Sequence, residues 1–219
     1  MFAYCVFLLL SELNYTALKE YCGIKAVVFD KDNTLTAPYA LETHPKAALG
    51  LQNALTVFGS SKVAILSNSA GTADDLGFED AIRIESSLGI PVVRHQEKKP
   101  GGLTELMSHF GDEVTDPSEI CMVGDRLLTD IVFGNLYGML TVHCLPLCSG
   151  EENAQDNKIA SILRNLENKF MFTDWTGSRM IRSRTIPHST WKGQDICSLV
   201  ILPQDSISST SNVQSKDSD

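Results

Sequence analysis

Short apolar runs bounded by turn residues recur along this chain, separated by segments whose apolar residues fall at helical spacing. That alternation constrains the fold more than any other feature, because a strand followed by a helix returns naturally to a parallel strand beside the first. Residues 24–29 form the first run, closed by Asp30, and runs at 63–66, 91–93, 120–123 and 139–142 follow. Residues 45–58 place Ala47, Leu51, Ala54, Leu55 and Phe58 on one helical face before Gly59, a residue type suited to a helix end. Helices are likewise expected over 81–88, 102–109 and 129–137. The expected fold is α/β: a doubly wound, mainly parallel five-stranded sheet of Rossmann-like type.

A hydrophobic share of 43% over 219 residues supports one packed domain. Residues 1–23 read as a lead-in, 24–172 as the main domain, 173–202 as a basic and aromatic extension, and 203–219 as a disordered tail of polar residues with little to bury. Within the main domain, residues 157–170 carry Ile159, Ile162, Leu163, Leu166 and Phe170 on one helical face expected to pack on the sheet. The apolar start, residues 2–10, is too short to span a bilayer and lacks a preceding positive charge or a cleavage signal, so no transmembrane span is expected. It reads as a packing or membrane-surface segment, or the remnant of a longer leader. Six cysteines stand singly, at Cys5, Cys22, Cys121, Cys144, Cys148 and Cys197, with no zinc-ligand spacing, which points to a reducing compartment. With 18 basic against 27 acidic residues the formal charge is −9, which argues against nucleic acid as a partner.

The polar residues that close the strands carry the chemistry. The first strand runs into Asp30-Lys31-Asp32-Asn33-Thr34, placing two carboxylates at the end of a buried strand, where open α/β sheets bind ligands. A pair of acids in a turn is common. What distinguishes this one is that Ser67-Asn68, Lys98-Lys99-Pro100 and Gly124-Asp125 with Asp130 close the later strands in turn. From Asp30 to Ser67 to Lys99 to Asp125 the intervals are 37, 32 and 26 residues, close to the roughly 30 of a βαβ unit. All four loops therefore converge on one sheet edge.

In that order the residues resemble the haloacid dehalogenase-like phosphohydrolase superfamily, whose signature is DxDxT, a Ser or Thr, a Lys, and GDxxxxD. The resemblance implies that Asp30 is a nucleophile forming an aspartyl phosphate, a covalent route that divides a slow hydrolysis into two easier steps. Asp32, two residues on, is the implied general acid and base, which favours a phosphatase over the ion-pumping branch, where Thr stands. Asp30, the Asp32 carbonyl and Asp125 are the implied Mg²⁺ ligands. Lys99 is implied to neutralise phosphoryl oxygens and keep Asp30 ionised, Ser67, Asn68 and Thr34 to bind phosphate, and Asp130 to support Lys99 or a metal-bound water. The gaps from Thr36 to Lys62 and from Ser67 to Lys99 are too short for a cap domain of about 50 residues. An open site suits a membrane headgroup or a protein chain better than a small metabolite.

The stretch from residue 13 to about 145 resembles a narrower group, the mitochondrial-type phosphatidylglycerophosphate phosphatases. The DKDNTLT core, Ser67-Asn68-Ser69-Ala70-Gly71, residues 95–101 and the GDR…TDI…GN run carry that likeness. It implies a phosphoric monoester hydrolase that converts phosphatidylglycerophosphate to phosphatidylglycerol in cardiolipin synthesis, peripheral on the matrix side of the mitochondrial inner membrane, with a plastid or the cytoplasm as alternatives. His95 and Arg126 are expected to contact the substrate. Trp175 and Trp191 bracket Arg179, Arg182 and Arg184, with Lys192 beyond, a composition expected to rest on an anionic bilayer. Other superfamily substrates, a phosphoprotein, nucleotide or sugar phosphate, remain open on the residues alone. A receiver-type phosphoacceptor would take phosphate at the third strand end, where residues 91–94 offer no acid, and a dead scaffold would not fill every motif position.

Overall fold

The computed structural model describes residues 4–148 together with Leu199 and Ile201. The expected helix over 157–170, Trp175 to Lys192 with their arginines, and the tail at 203–219 lie outside the described residues.

In chain order the strands are β1 (Tyr4–Leu8), β2 (Ala26–Phe29), β3 (Val63–Ile65), β4 (Ile120–Gly124) and β5 (Leu140–Cys144). They pair in the order β1-β5-β4-β2-β3, every ladder parallel. The helices are α1 (Tyr15–Cys22), α2 (Pro45–Phe58), α3 (Glu79–Leu88), α4 (Leu103–Phe110) and α5 (Val132–Leu136). Each described side chain of β2 to β5 is buried, as expected where helices cover both faces of a parallel sheet.

Alternation along β2 separates two cores. Val27 and Phe29 face a cluster with Ala17, Leu18, Ala47, Leu51, Ala54 and Ile84, from α1, α2 and α3. Ala26 and Val28 face Leu106, Phe110 and Phe133, from α4 and α5. Phe29 is fully buried, worth about 1.5–3 kcal/mol relative to exposure. Helix α2 has Pro45 in its first turn and stops at Gly59, whose φ is +82°, a conformation that favours glycine.

Four of the expected strands appear. The expected third, residues 91–93, contributes a single parallel bridge between Ile65 and Val92, held by bonds from Ile65 N to Pro91 O and from Val93 N to Ile65 O, each 2.8 Å. Pro91 has no N–H to donate and only three apolar residues are available, so no ladder extends. The lead-in is also more than a lead-in. Residues 4–8 pair with β5 and α1 is anchored in the core through Ala17, Leu18 and Cys22, so residue 23 marks no break. From the other end of the chain, Leu199 is buried in the same cluster, its carbonyl accepting from Asn14 N at 2.8 Å, while Ile201 N donates to Glu12 O at 2.7 Å. The helix expected over 129–137 is divided: a wide π-helical turn, Leu127–Ile131, precedes the short α5.

Candidate active site

Strand β2 sits between β3 and β4, so the chain turns back across the sheet beside β2, and the crevice at the carboxyl ends of β2 and β4 is where such sheets place ligands. Asp30 follows β2 and Asp125 follows β4, and Asp30 N donates to Val123 O at 2.8 Å. Lys99 enters from the loop after residues 91–93. Its ammonium donates to Asp30 Oδ1 at 2.7 Å and to Asp130 Oδ1 at 2.5 Å. All four residues, Asp30, Lys99, Asp125 and Asp130, are buried.

The π-helical turn explains how Asp130 reaches this point. One wide turn after Asp125 brings the carboxylate back over the strand end, where Oδ2 accepts from Arg126 N at 3.1 Å. Gly124 makes room: a Cβ there would lie 2.3 Å from Asp130 Oδ2. The glycine and the second aspartate of the GDxxxxD pattern are thus one packing requirement. His143 on β5 steadies the same loop, its Nε2 lying 2.8 Å from Asp125 O.

Burial pushes the Asp30 carboxyl up to about 6, against the pull of Lys99, and the charges of Asp130 and Asp32 add to the rise. Burial opposes the Lys99 ammonium, but Asp130 and Asp30 outweigh it and hold its pKa above the ordinary value. Asp30, Asp125 and Asp130 each offer a carboxylate oxygen within 4.8 Å of the others. Three hard oxygen donors around one ammonium leave a local negative excess, and that donor set fits a divalent cation such as Mg²⁺. Asp130, expected only in support, joins this cluster.

The Asp32 carboxylate is engaged elsewhere. Oδ1 accepts from Lys31 Nζ at 2.5 Å and from Tyr39 N at 2.9 Å, and Oδ2 accepts from Ser69 Oγ at 3.3 Å. Lys31 is buried and also donates to Thr36 Oγ1 at 3.3 Å. Sequence reasoning missed Lys31 and Ser69 as partners of Asp32, since a lysine between two acids looks like solvated charge. The available signal was its position one residue past Asp30, at the end of a fully apolar strand.

Ser67 is buried, and its Oγ lies 3.0 Å from Ser69 Oγ and accepts from Ser69 N at 3.2 Å. Asn68 Oδ1 accepts from Lys99 N at 2.7 Å, which positions the lysine loop. Two residues expected to meet substrate are held by groups of the protein itself. His95, expected at the substrate, is buried with Nε2 2.9 Å from Ser67 O and Nδ1 2.5 Å from Glu97 O, so it stitches two loops together. Thr34, expected at the phosphate, is buried with Oγ1 3.6 Å from Cys144 Sγ. It braces the turn, as does Asn33, which adopts a φ of +63° and accepts from Cys148 N at 3.2 Å. Arg126 stays half-buried at the rim, its Nε without a hydrogen-bond partner among the described residues. Nearby bases are paired: Arg94 grips Glu85 at 2.5 and 2.8 Å, and Lys98 meets Asp74 at 2.6 Å.

Fold and cluster together are consistent with the haloacid dehalogenase-like class to which the motifs point. The chain belongs to the mitochondrial PGP phosphatase family, whose model matches residues 6–146. It is 48% identical over 143 residues to the chloroplastic phosphatidylglycerophosphate phosphatase 1 of Chlamydomonas reinhardtii, covering 64% of this chain and 51% of that one. The chloroplastic/mitochondrial enzyme of Arabidopsis thaliana is 48% identical over 145 residues, covering 65% and 40%. The mitochondrial phosphatidylglycerophosphatase of Saccharomyces cerevisiae is 35% identical over 133 residues, covering 60% and 72%. The chain thus spans about half the length or less of the two photosynthetic relatives. A crystal structure of an uncharacterized protein from Listeria monocytogenes serotype 4b aligns at a TM-score of 0.41 and 17% identity, covering 65% of this chain and 99% of that one, a likeness too low to bear on function. Among the described residues no helix is long and apolar enough to cross a membrane.

Proposed function

We propose that this chain removes the terminal phosphate of phosphatidylglycerophosphate, yielding phosphatidylglycerol for cardiolipin synthesis. The observation that carries the reading is the buried cluster of Asp30, Lys99, Asp125 and Asp130 at adjacent strand ends, in a chain whose curated relatives are named for that reaction. Asp30, Asp125 and the Asp32 backbone carbonyl would hold Mg²⁺, with Asp130 beside them. When bound, the cation would offset the repulsion between phosphate and carboxylates.

In this reading an Asp30 carboxylate oxygen bonds to phosphorus as the bond from phosphorus to the glycerol oxygen breaks. Protonated Asp32 gives its proton to the departing alkoxide. Asp32, now ionised, takes a proton from water as that water attacks the aspartyl phosphate, and the Asp30–phosphorus bond breaks to release phosphate and restore Asp30. Lys99 offsets phosphoryl charge throughout, Ser67 contributes its hydroxyl, and Arg126 meets the glycerophosphate at the rim. The same grounds favour the doubly wound, Rossmann-like fold type without a cap, since both sheet faces are covered and only a loop and α2 separate β2 from β3. A lipid substrate favours peripheral attachment to an anionic membrane, which we take to be the matrix side of the mitochondrial inner membrane; the yeast relative's name supports the organelle alone.

The test is phosphate release from phosphatidylglycerophosphate against soluble phosphomonoesters, in Mg²⁺ and in EDTA, with Asp30→Asn as the blank. Preference for the lipid, dependence on Mg²⁺ and silence of the variant support the reading. A preference for a nucleotide, or equal rates in EDTA, overturns it.

A further inference from the structure

The four segments that follow β2, β3, β4 and β5 lie at the mouth of the site, and each carries at least one large apolar side chain in solvent: Tyr39 and Leu41, Leu76, Leu128 and Leu145, between 42% and 84% exposed. All but Leu41 are tied to the site by neighbouring contacts. Tyr39 N donates to the Asp32 carboxylate. Leu76 follows Asp74, the partner of Lys98, and Asp75, which accepts from Gly71, Asp80 and Ala81 N. Leu128 lies in the turn between Asp125 and Asp130. Leu145 directly follows β5, two residues before Leu147, whose N–H donates to Asn33 O at 3.1 Å. The other exposed large apolar residues among those described, Leu49, Ile82, Val132 and Leu136, lie on α-helices. Apolar residues scattered that way need no explanation; at least one after each of β2 to β5 does, and only the Lys99 loop carries none.

Tyr39 adds a second observation. Its φ of +61° is a conformation that L side chains rarely adopt, yet it holds a ring outward in water while its amide serves Asp32. Aromatic rings with a polar tip prefer headgroup depth at a bilayer surface.

We propose that Tyr39, Leu76, Leu128 and Leu145 form an apolar collar that seats the mouth of the site in the interfacial layer of a phospholipid bilayer. The inference rests on the lipid-substrate reading above, which also selects the occupant: a phosphate that must reach Asp30 while its acyl chains stay in the membrane requires the rim of the site to touch that membrane. Because Tyr39 supplies both a collar side chain and an amide to Asp32, seating the collar also fixes the acid/base carboxylate.

The experiment uses the full chain, wild type and Leu76→Asp/Leu145→Asp, neither residue touching the reacting groups. Sedimentation with phosphatidylcholine vesicles containing phosphatidylglycerol measures binding. Phosphate release is followed from phosphatidylglycerophosphate in those vesicles and from a water-soluble short-chain form below its micelle concentration. The variant is expected to lose about tenfold in vesicle binding per residue changed, and comparably in turnover of vesicular substrate, with release from the short-chain form kept. Equal binding and equal vesicular turnover overturn the collar while leaving the substrate reading intact. Equal loss on both substrate forms also overturns it, since the change then acts on the chemistry. Wild type that fails to sediment with vesicles overturns the collar whatever the variant's folding. Release from soluble phosphomonoesters but from neither lipid form overturns the substrate reading itself.

Discussion

Asp30 and Asp32 stand two residues apart and occupy opposite kinds of surroundings. The Asp30 side chain is 10% exposed and bonded to an ammonium that is itself 1% exposed. The Asp32 side chain is 25% exposed and held by one lysine, one backbone amide and one surface hydroxyl. The inner group is dry and tightly paired, whereas the outer one sits at the edge of water, held by a buried lysine, a backbone amide and an exposed hydroxyl. A nucleophile needs fixed geometry, and an acid and base needs access to a leaving group and to water, so the contrast suits the two roles proposed for them.

The largest effect should come from the inner group. Asp30→Asn keeps an acceptor for Lys99 but removes the nucleophile, so phosphate release should fall below detection while the thermal melting curve stays near wild type. Lys99→Met strips two buried carboxylates of their shared cation. Besides abolishing turnover it should cost about 3–5 kcal/mol in chemical denaturation, a loss that Asp30→Asn should not show. Asp32→Asn should lower turnover by roughly 10² to 10⁴ and allow aspartyl phosphate to accumulate under acid quench, with little change in stability. Lys31→Met loosens Asp32 without removing it, and kcat should fall roughly tenfold with KM nearly unchanged. If Lys31→Met instead matched Lys99→Met in lost stability, the inner and outer settings would not differ as described.

The smallest effect lies outside both groups, at Asp75. Burial favours its neutral form, but the N–H groups of Gly71, Asp80 and Ala81 and nearby Arg94 hold its pKa below the ordinary 3.8. A depressed carboxyl contributes stability above its unfolded pKa and loses it as pH falls through the folded one. Asp75→Asn should therefore cost about 1 kcal/mol near neutral pH, a gap that closes in acid, with turnover unaltered.

Much of this was legible before any coordinates. The apolar runs placed four strands, and the order Asp30, Ser67, Lys99, Asp125 marked the sheet edge where three of the four cluster residues meet. What escaped the sequence had a common cause. His95 and Thr34 have hydrogen-bonding groups that serve a backbone carbonyl or a thiol as readily as a phosphate, and only packing decides which. Lys31 bears a charge, and charge suggests solvent unless a partner in space is known. Residues 4–8 lacked a visible partner because theirs, β5, lies more than a hundred positions away. Residues 91–93 are apolar enough for a strand but too few, and begin with a proline.

The pairing of β1 with β5 has a practical side. Motif matching alone would suggest a minimal enzyme starting near residue 24, since every signature residue lies beyond it. Cutting there would bare the full hydrogen-bonding edge of β5 and remove α1 from beneath the sheet. An unguarded strand of buried, apolar character is a template for stacking against another copy. Such a shortened protein would collect in inclusion bodies with its signature residues all present, and a fusion partner belongs ahead of β1 rather than in place of it.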